Sequence, residues 1–191
     1  MKFRSHWAKA ALLVMGVLLC TACAGQDIGK TTIKPSPFAS YSPDPNSEVG
    51  SRNNPISLGD EVTTEDWVVQ VTNVNKNAYQ SVKKEDSFDS PPMPNEKFVL
   101  FTVKATYTGE ESGEPNGDLR FKIVGSKGNT FSNSCGFSTD TFQYNGETFT
   151  GASVTGNLCF VVDADQIDGA TISIQSGYSS DARKFVAIDS K

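Results

Sequence analysis

The clearest cluster of chemistry-bearing residues is Asp163-Ala164-Asp165-Gln166-Ile167-Asp168-Gly169, three carboxylates in one short loop. Hard cations such as Ca2+ take oxygen ligands, which makes Asp163, Asp165 and Asp168 candidate metal ligands. The loop is not an EF-hand, because Ile167 and Ile174 stand where that motif needs its fifth and twelfth residues. Solvated turn carboxylates are the competing reading. A second acidic group, Glu110, Glu111, Glu114 and Asp118, surrounds Pro115-Asn116-Gly117 and reads as a loop cap. A glycosidase pair would need a fixed carboxylate separation, which distance along the chain does not define. Gly151-Ala152-Ser153-Val154-Thr155-Gly156 approaches a nucleophile elbow, but its second glycine comes one residue late for G-x-S-x-G. His6 is the only histidine, so nothing downstream of it offers an imidazole base. These residues point away from catalysis, and no cofactor is expected.

The first 22 residues carry a different chemistry. Lys2, Arg4 and Lys9 form a basic start without an acid, and residues 10–19 are uninterruptedly apolar. That run is short of the roughly 20 apolar residues a bilayer-spanning helix needs, and it fits the core of an export signal. It ends Leu19-Cys20-Thr21-Ala22-Cys23, which resembles the lipobox of bacterial lipoprotein precursors. Small residues precede Cys23, whereas bulky Leu18 and Leu19 precede Cys20. Cys23 is therefore the expected lipid anchor, although such sequences usually carry an aliphatic residue where Cys20 stands. Ordinary secretion with cleavage near Ala22 or Ala24 is the alternative. Processing before Cys23 removes Lys2, Arg4, Lys9 and His6 and no acid, taking the formal charge from −5 to about −8. So acidic a chain lacks the basic face that nucleic acid demands. Cys135 and Cys159 then remain, in a compartment where a disulfide between them is expected.

Two segments offer binding surfaces. Residues 131–150 hold Phe137, Phe142, Tyr144 and Phe149 among small polar residues, tied near one end by Cys135. Aromatics on a tethered loop form a preorganised contact surface; alternatively, they cover an open end of the domain. Residues 76–96, with Tyr79, Phe88 and Pro91-Pro92-Met93-Pro94, form a long connection that is either a functional loop or a disordered one. Tyr79, Phe88, Phe137, Phe142 and Tyr144 are the candidate contact residues.

The elements that must position these residues are strands. Residues 24–54 show no apolar period and contain a Pro/Ser-rich run, so 23–54 reads as the lipidated cysteine followed by a flexible linker. From Pro55 the texture changes. Trp67, Val69 and Val71 alternate with Val68, Gln70 and Thr72, residues 97–107 form a long β-branched and aromatic strand, and Leu119-Arg120-Phe121-Lys122-Ile123-Val124 leads into a turn at Ser126-Lys127-Gly128-Asn129. Further strands are expected at 155–162, 170–175 and 184–188, with no convincing amphipathic helix. Seven to eight short strands over 55–191 imply one all-β domain, an immunoglobulin-like β-sandwich, with a barrel as the alternative.

Pro55-Ile56-Ser57-Leu58-Gly59-Asp60-Glu61-Val62, the strand from Trp67, Asn95 to Val103, Phe121 to Asn129 and Gly156 to Val162 together resemble a family of bacterial lipoprotein domains. That family is called telokin-like and is related to a secreted mycobacterial immunoprotective antigen. The resemblance spans roughly 54–188, implies an immunoglobulin-like sandwich and brings no catalytic residues with it. Tyr107-Thr108-Gly109, where members often carry Asn, and the Cys135/Cys159 pair depart from the pattern. The resulting expectation is a non-enzymatic binding module, lipid-anchored at the extracytoplasmic face of the cell membrane. Its partner would be an envelope or extracellular protein. The alternative is a small-ligand or Ca2+-binding lipoprotein using the Asp163–Asp168 loop.

Overall fold

The computed structural model describes residues 44–85, 90–136, 139–177 and 183–189, all within the unit Ser36–Lys191. The leader, Cys23, Phe88 and Phe137 lie outside the described residues. Strands β1 (Glu61–Thr63), β2 (Trp67–Asn75), β3 (Glu96–Tyr107) and β8 (Ser153–Asp163) form one antiparallel sheet in the order β1-β2-β3-β8. Strands β5 (Leu119–Val124), β6 (Thr130–Phe131), β9 (Thr171–Ser176) and β10 (Arg183–Ala187) form the second, in the order β10-β9-β5-β6. A two-stranded ribbon pairs β4 (Ser112–Gly113) with β7 (Thr148–Phe149).

Alternation explains how the two sheets close on each other. Trp67, Val69 and Val71 of β2 and Phe101, Val103, Ala105 and Tyr107 of β3 are buried at every second position. They meet Ile123, Ile172, Ile174 and Val186 of the other sheet in one apolar cluster. Each such side chain, fully buried, contributes about 1.5–3 kcal/mol. The result is the expected β-sandwich of immunoglobulin type, with seven strands of three residues or more among the described residues. The long strand read at 97–107 is β3, and it pairs on both sides.

Three expectations are corrected. Residues 44–54 are attached to the domain rather than part of a free linker: Phe185 N donates to Gly50 O at 2.9 Å, and Arg52 donates to Gly125 O at 3.0 Å. Ile56 then pairs in parallel with Val186, so the chain covers the open edge of β10. Second, the connection 76–96 contains a helix, α1 (Tyr79–Glu85). Ala78 and Val82, four residues apart, are fully buried against Phe98 and Cys159 on the outer face of the first sheet. So short a helix is marginal alone and is held by that docking. Third, Phe142 is core rather than contact surface. It is 2% exposed, packs edge-to-face on Phe121 at 5.5 Å, and sits in a 3-10 turn (Thr141–Tyr144) laid against Gly156 of β8.

Candidate functional site

The free edge of β8 is covered by residues 133–135, with Val161 N donating to Asn133 O at 2.8 Å and Cys135 N to Cys159 O at 3.2 Å. Cys135 and Cys159 form the expected disulfide, with Cα atoms 5.4 Å apart. Beside it lies Asp140, a carboxylate only 4% exposed. One oxygen accepts from Cys159 N at 2.7 Å; the other accepts from Ser134 Oγ and from Gln143 Nε2. Burial holds this carboxyl above its ordinary value, while the Ser134 and Cys159 donors pull it down in part. Disulfide and carboxylate together fix Ser134, Cys135 and the turn Thr141–Tyr144 to β8.

That anchored segment runs on to Glu147, just ahead of β7; with Ser112 and Gly113 of β4, Glu147 lines an open cavity of about 670 Å³. Glu65 and Asp66, just before β2, and Glu114 and Asp118, around the short helical turn α2 (Pro115–Asp118), line it as well. Five carboxylates line the cavity (Glu65, Asp66, Glu114, Asp118 and Glu147), with no lysine or arginine among its lining residues. Two of them are set by local bonds. Asp118 Oδ2 accepts from Trp67 Nε1 at 3.1 Å and from Glu114 N at 3.0 Å, and Glu147 Oε1 accepts from Ser112 Oγ at 2.6 Å. The ion pairs between described residues use other acids: Asp165, Asp168, Asp189 and Glu48.

Tyr107, the last residue of β3, also lines this cavity. Its ring stacks edge-on against Trp67 at 5.0 Å and the residue is only 7% exposed. The chain makes room for it with two glycines: a Cβ at Gly109 would stand 2.3 Å from the Tyr107 hydroxyl, and one at Gly113 would stand 2.6 Å from its ring. The hydroxyl has no hydrogen-bond partner among the described residues. Burial, and then the negative charges of Asp66, Asp118, Glu111 and Glu110, hold its pKa above the ordinary tyrosine value. It therefore stays neutral, with a donor and lone pairs both unspent. Phe149, 62% exposed, is register-paired with Ser112. Directly opposed residues share a face of an antiparallel ribbon, so Phe149 stands beside Ser112 and Glu147, two residues that line the cavity.

The residues singled out by sequence fall differently. Tyr144 is exposed, Tyr79 is half-buried against Phe98 with ring centroids 6.0 Å apart, and Phe142 is core. They do not form one surface. The Asp163/Asp165/Asp168 loop does not converge either. Asp163 accepts from Gln166 at 3.0 Å, Asp165 pairs with Lys127, and Asp168 pairs with Lys76 at 3.2 Å. Burial alone would lower the Lys76 pKa, but its bonds to Asp189 and Asp168 raise it on balance, which keeps this pair charged. No group of three ligating side chains among the described residues could hold a metal ion. Ser81 and Lys84 have the S-x-x-K spacing of a Ser-Lys dyad, but both are exposed on α1. Of the acidic cap read around Pro115, Glu114 and Asp118 do line the cavity. Glu65, Asp66, Tyr107 and Glu147 were not read as site residues; the Glu65-Asp66 doublet ahead of a strand was the one local signal for them.

No family model matches the chain, and no curated protein does. Among solved structures it is similar to a conserved hypothetical protein of Bacillus anthracis, at 12% identity and TM-score 0.47, over 68% of this chain and 94% of that one. It is also similar to the Bacillus subtilis ycdA protein, named as a candidate lipoprotein, at 17% identity and TM-score 0.46; the match covers 68% of this chain and 38% of that one. A third is the secreted protein MPT63 of Mycobacterium tuberculosis, at 14% identity and TM-score 0.42, over 70% of this chain and 95% of that one. No helix among the described residues is long and apolar enough to cross a membrane.

Proposed function

We propose that this chain is a non-enzymatic binding module of the bacterial cell envelope. It is lipid-anchored through Cys23, belongs with the telokin-like lipoprotein domains, and contacts an envelope or extracellular protein through the cavity end of its sandwich. The observation that carries this reading is the cavity itself: among the described residues its five carboxylates stand outside any ion pair and the neutral Tyr107 hydroxyl has no partner, and an exposed Phe149 sits on the adjoining ribbon beside Ser112. Rigid scaffolds commonly present binding loops at one end in this way. The basic, apolar and small-residue order of residues 1–23 supports export and lipidation. The absence of histidine from the described residues and the exposed position of Ser81 and Lys84 favour binding over nucleophilic catalysis.

Crosslinking on intact cells, followed by mass spectrometry, tests the reading. The native chain is compared with a Glu147→Gln/Phe149→Ser variant of unchanged melting temperature. The expected result is a protein captured by the native chain and lost from the variant. Identical capture by both would overturn the assignment of the surface. For the anchor, Cys23→Ser is expected to release the protein from membranes, and continued membrane association would contradict it.

A further inference from the structure

The chemistry of the cavity narrows what it recognises. Every charged group on its lining is an acceptor-only carboxylate, and no cation of the chain reaches them among the described residues. The Tyr107 hydroxyl adds acceptor capacity on a side chain more than nine-tenths buried, with no protein partner to use it. The hydroxyl oxygen itself is open to solvent, where a ligand can reach it. A ligand that complements the carboxylates must bring donors and positive charge.

A bare divalent ion does not meet the geometry. Ca2+ draws six to eight oxygens to 2.3–2.6 Å, whereas the lining acids form no group that could hold a metal ion among the described residues. An alkylammonium does meet it: three N–H donors, no acceptor, and a flexible apolar stem. Phe149, exposed on the ribbon face that also carries the lining residues Ser112 and Glu147, offers that stem an apolar surface. We propose that the cavity takes the protonated side-chain amine of a lysine presented by the partner protein, its nitrogen between the Tyr107 hydroxyl and the carboxylates of Asp66 and Asp118, its stem against Phe149. This rests on the binding reading above and specifies the chemistry of that same site.

The test uses the full chain in detergent micelles at low ionic strength, titrated with Nα-acetyl-lysine methylamide. Two reporters are built in, because the Trp67 indole N–H and the Glu114 amide both donate to Asp118. Their NMR signals are expected to shift and saturate with a Kd on the order of 1–10 mM, as suits one solvent-accessible charged contact. Raising salt to ~150 mM should weaken binding several-fold. The Nε-acetylated analogue should give no shift. Asp66→Asn, whose carboxylate holds no hydrogen bond among the described residues, should weaken binding ~5-fold or more, and Tyr107→Phe ~3-fold, with both variants folded. No saturable shift up to 50 mM (roughly five times the weakest expected Kd), or equal shifts from the acetylated analogue, would overturn the lysine assignment. So would saturable shifts of the same signals by calcium chloride. If the lysine probe fails while Glu147→Gln/Phe149→Ser still loses its crosslinked partner, the ligand chemistry falls and the binding surface stands. If the probe binds and the crosslinked partner is unaffected, the surface assignment falls.

Discussion

Replacing Asp140 by alanine should loosen the whole segment that leads into the cavity wall. The carboxylate accepts three hydrogen bonds, and the bond from the Cys159 amide, at 2.7 Å, is buried. Leaving a buried amide without an acceptor costs about 1–3 kcal/mol. Ser134 and Gln143 lie nearer water and lose about 0.5–1 kcal/mol each. Removing a desolvated charge offsets part of this, so the net loss is about 2–3 kcal/mol. For a domain of this size that lowers Tm by about 6–9 °C. Asp140→Asn keeps one acceptor for Cys159 and should lose less than half as much. The pH dependence separates the two effects. Because the folded carboxyl titrates above its ordinary value of 3.8, its protonation stabilises the fold. That contribution is fully present below pH 3.8 and is lost as pH rises through the folded pKa. The stability of wild type relative to Asp140→Asn should therefore fall across that window. Calorimetry at a series of pH values reads both quantities. An alanine variant melting within about 1 °C of wild type would refute the argument, as would a wild-type advantage over Asn that grows with rising pH.

Other outcomes follow from the same contacts. Gly156→Ala should cost about 1–3 kcal/mol, because its Cβ would meet the Phe142 amide nitrogen at 2.4 Å and force the 3-10 turn off β8; unaltered chemical denaturation would contradict this. Breaking the Cys135–Cys159 bridge, which closes a loop of sequence separation 24, should cost about 3–4 kcal/mol on the chain-entropy argument, and a free-thiol count of two in native exported protein would deny the bridge. Tyr107→Phe should leave Tm within about 1–2 °C of wild type, since no protein partner is lost; a drop worth a typical hydrogen bond, about 1 kcal/mol or more, would reveal one. Millimolar calcium should leave the melting temperature unchanged, because Asp165 and Asp168 are held by Lys127 and Lys76, and a rise of several degrees would restore the metal reading.

Much of the sandwich was legible because alternation is a local property. Trp67, Val69 and Val71 announce an inward face without reference to any other strand, and the length and β-branching of 97–107 mark a strand paired on both sides. The disulfide was legible from compartment and count. The helix α1 was missed because its signal is only Ala78 and Val82 at helical spacing, in a segment whose composition favours a loop. Phe142 was misread for a different reason: an aromatic among Ser, Thr and Asn looks alike whether it points to solvent or to Phe121 and Gly156. The cavity was legible least of all. It depends on β4 meeting β7, two strands of two residues each, which brings Glu147 to Ser112 across 35 residues of chain. Nothing in so short a pairing has a period to read. Glu114 and Asp118 were noticed as acids, but their convergence with Asp66 and Tyr107 is a product of topology.

The account stands on the cavity end being the contact surface, and site-specific photocrosslinking on living cells tests that most directly. A photoreactive phenylalanine analogue at Phe149 sits beside Ser112 of the cavity lining; the same analogue at Met93, 64% exposed and just ahead of the opposite end of β3, is the control. A strand of that length separates the two ends by roughly 35–40 Å. The account predicts a discrete crosslinked protein from position 149, absent at position 93 and abolished by Asp66→Asn/Asp118→Asn in a folded chain. Crosslinking at 93 but not at 149, or capture at 149 that is indifferent to the carboxylates, would contradict it.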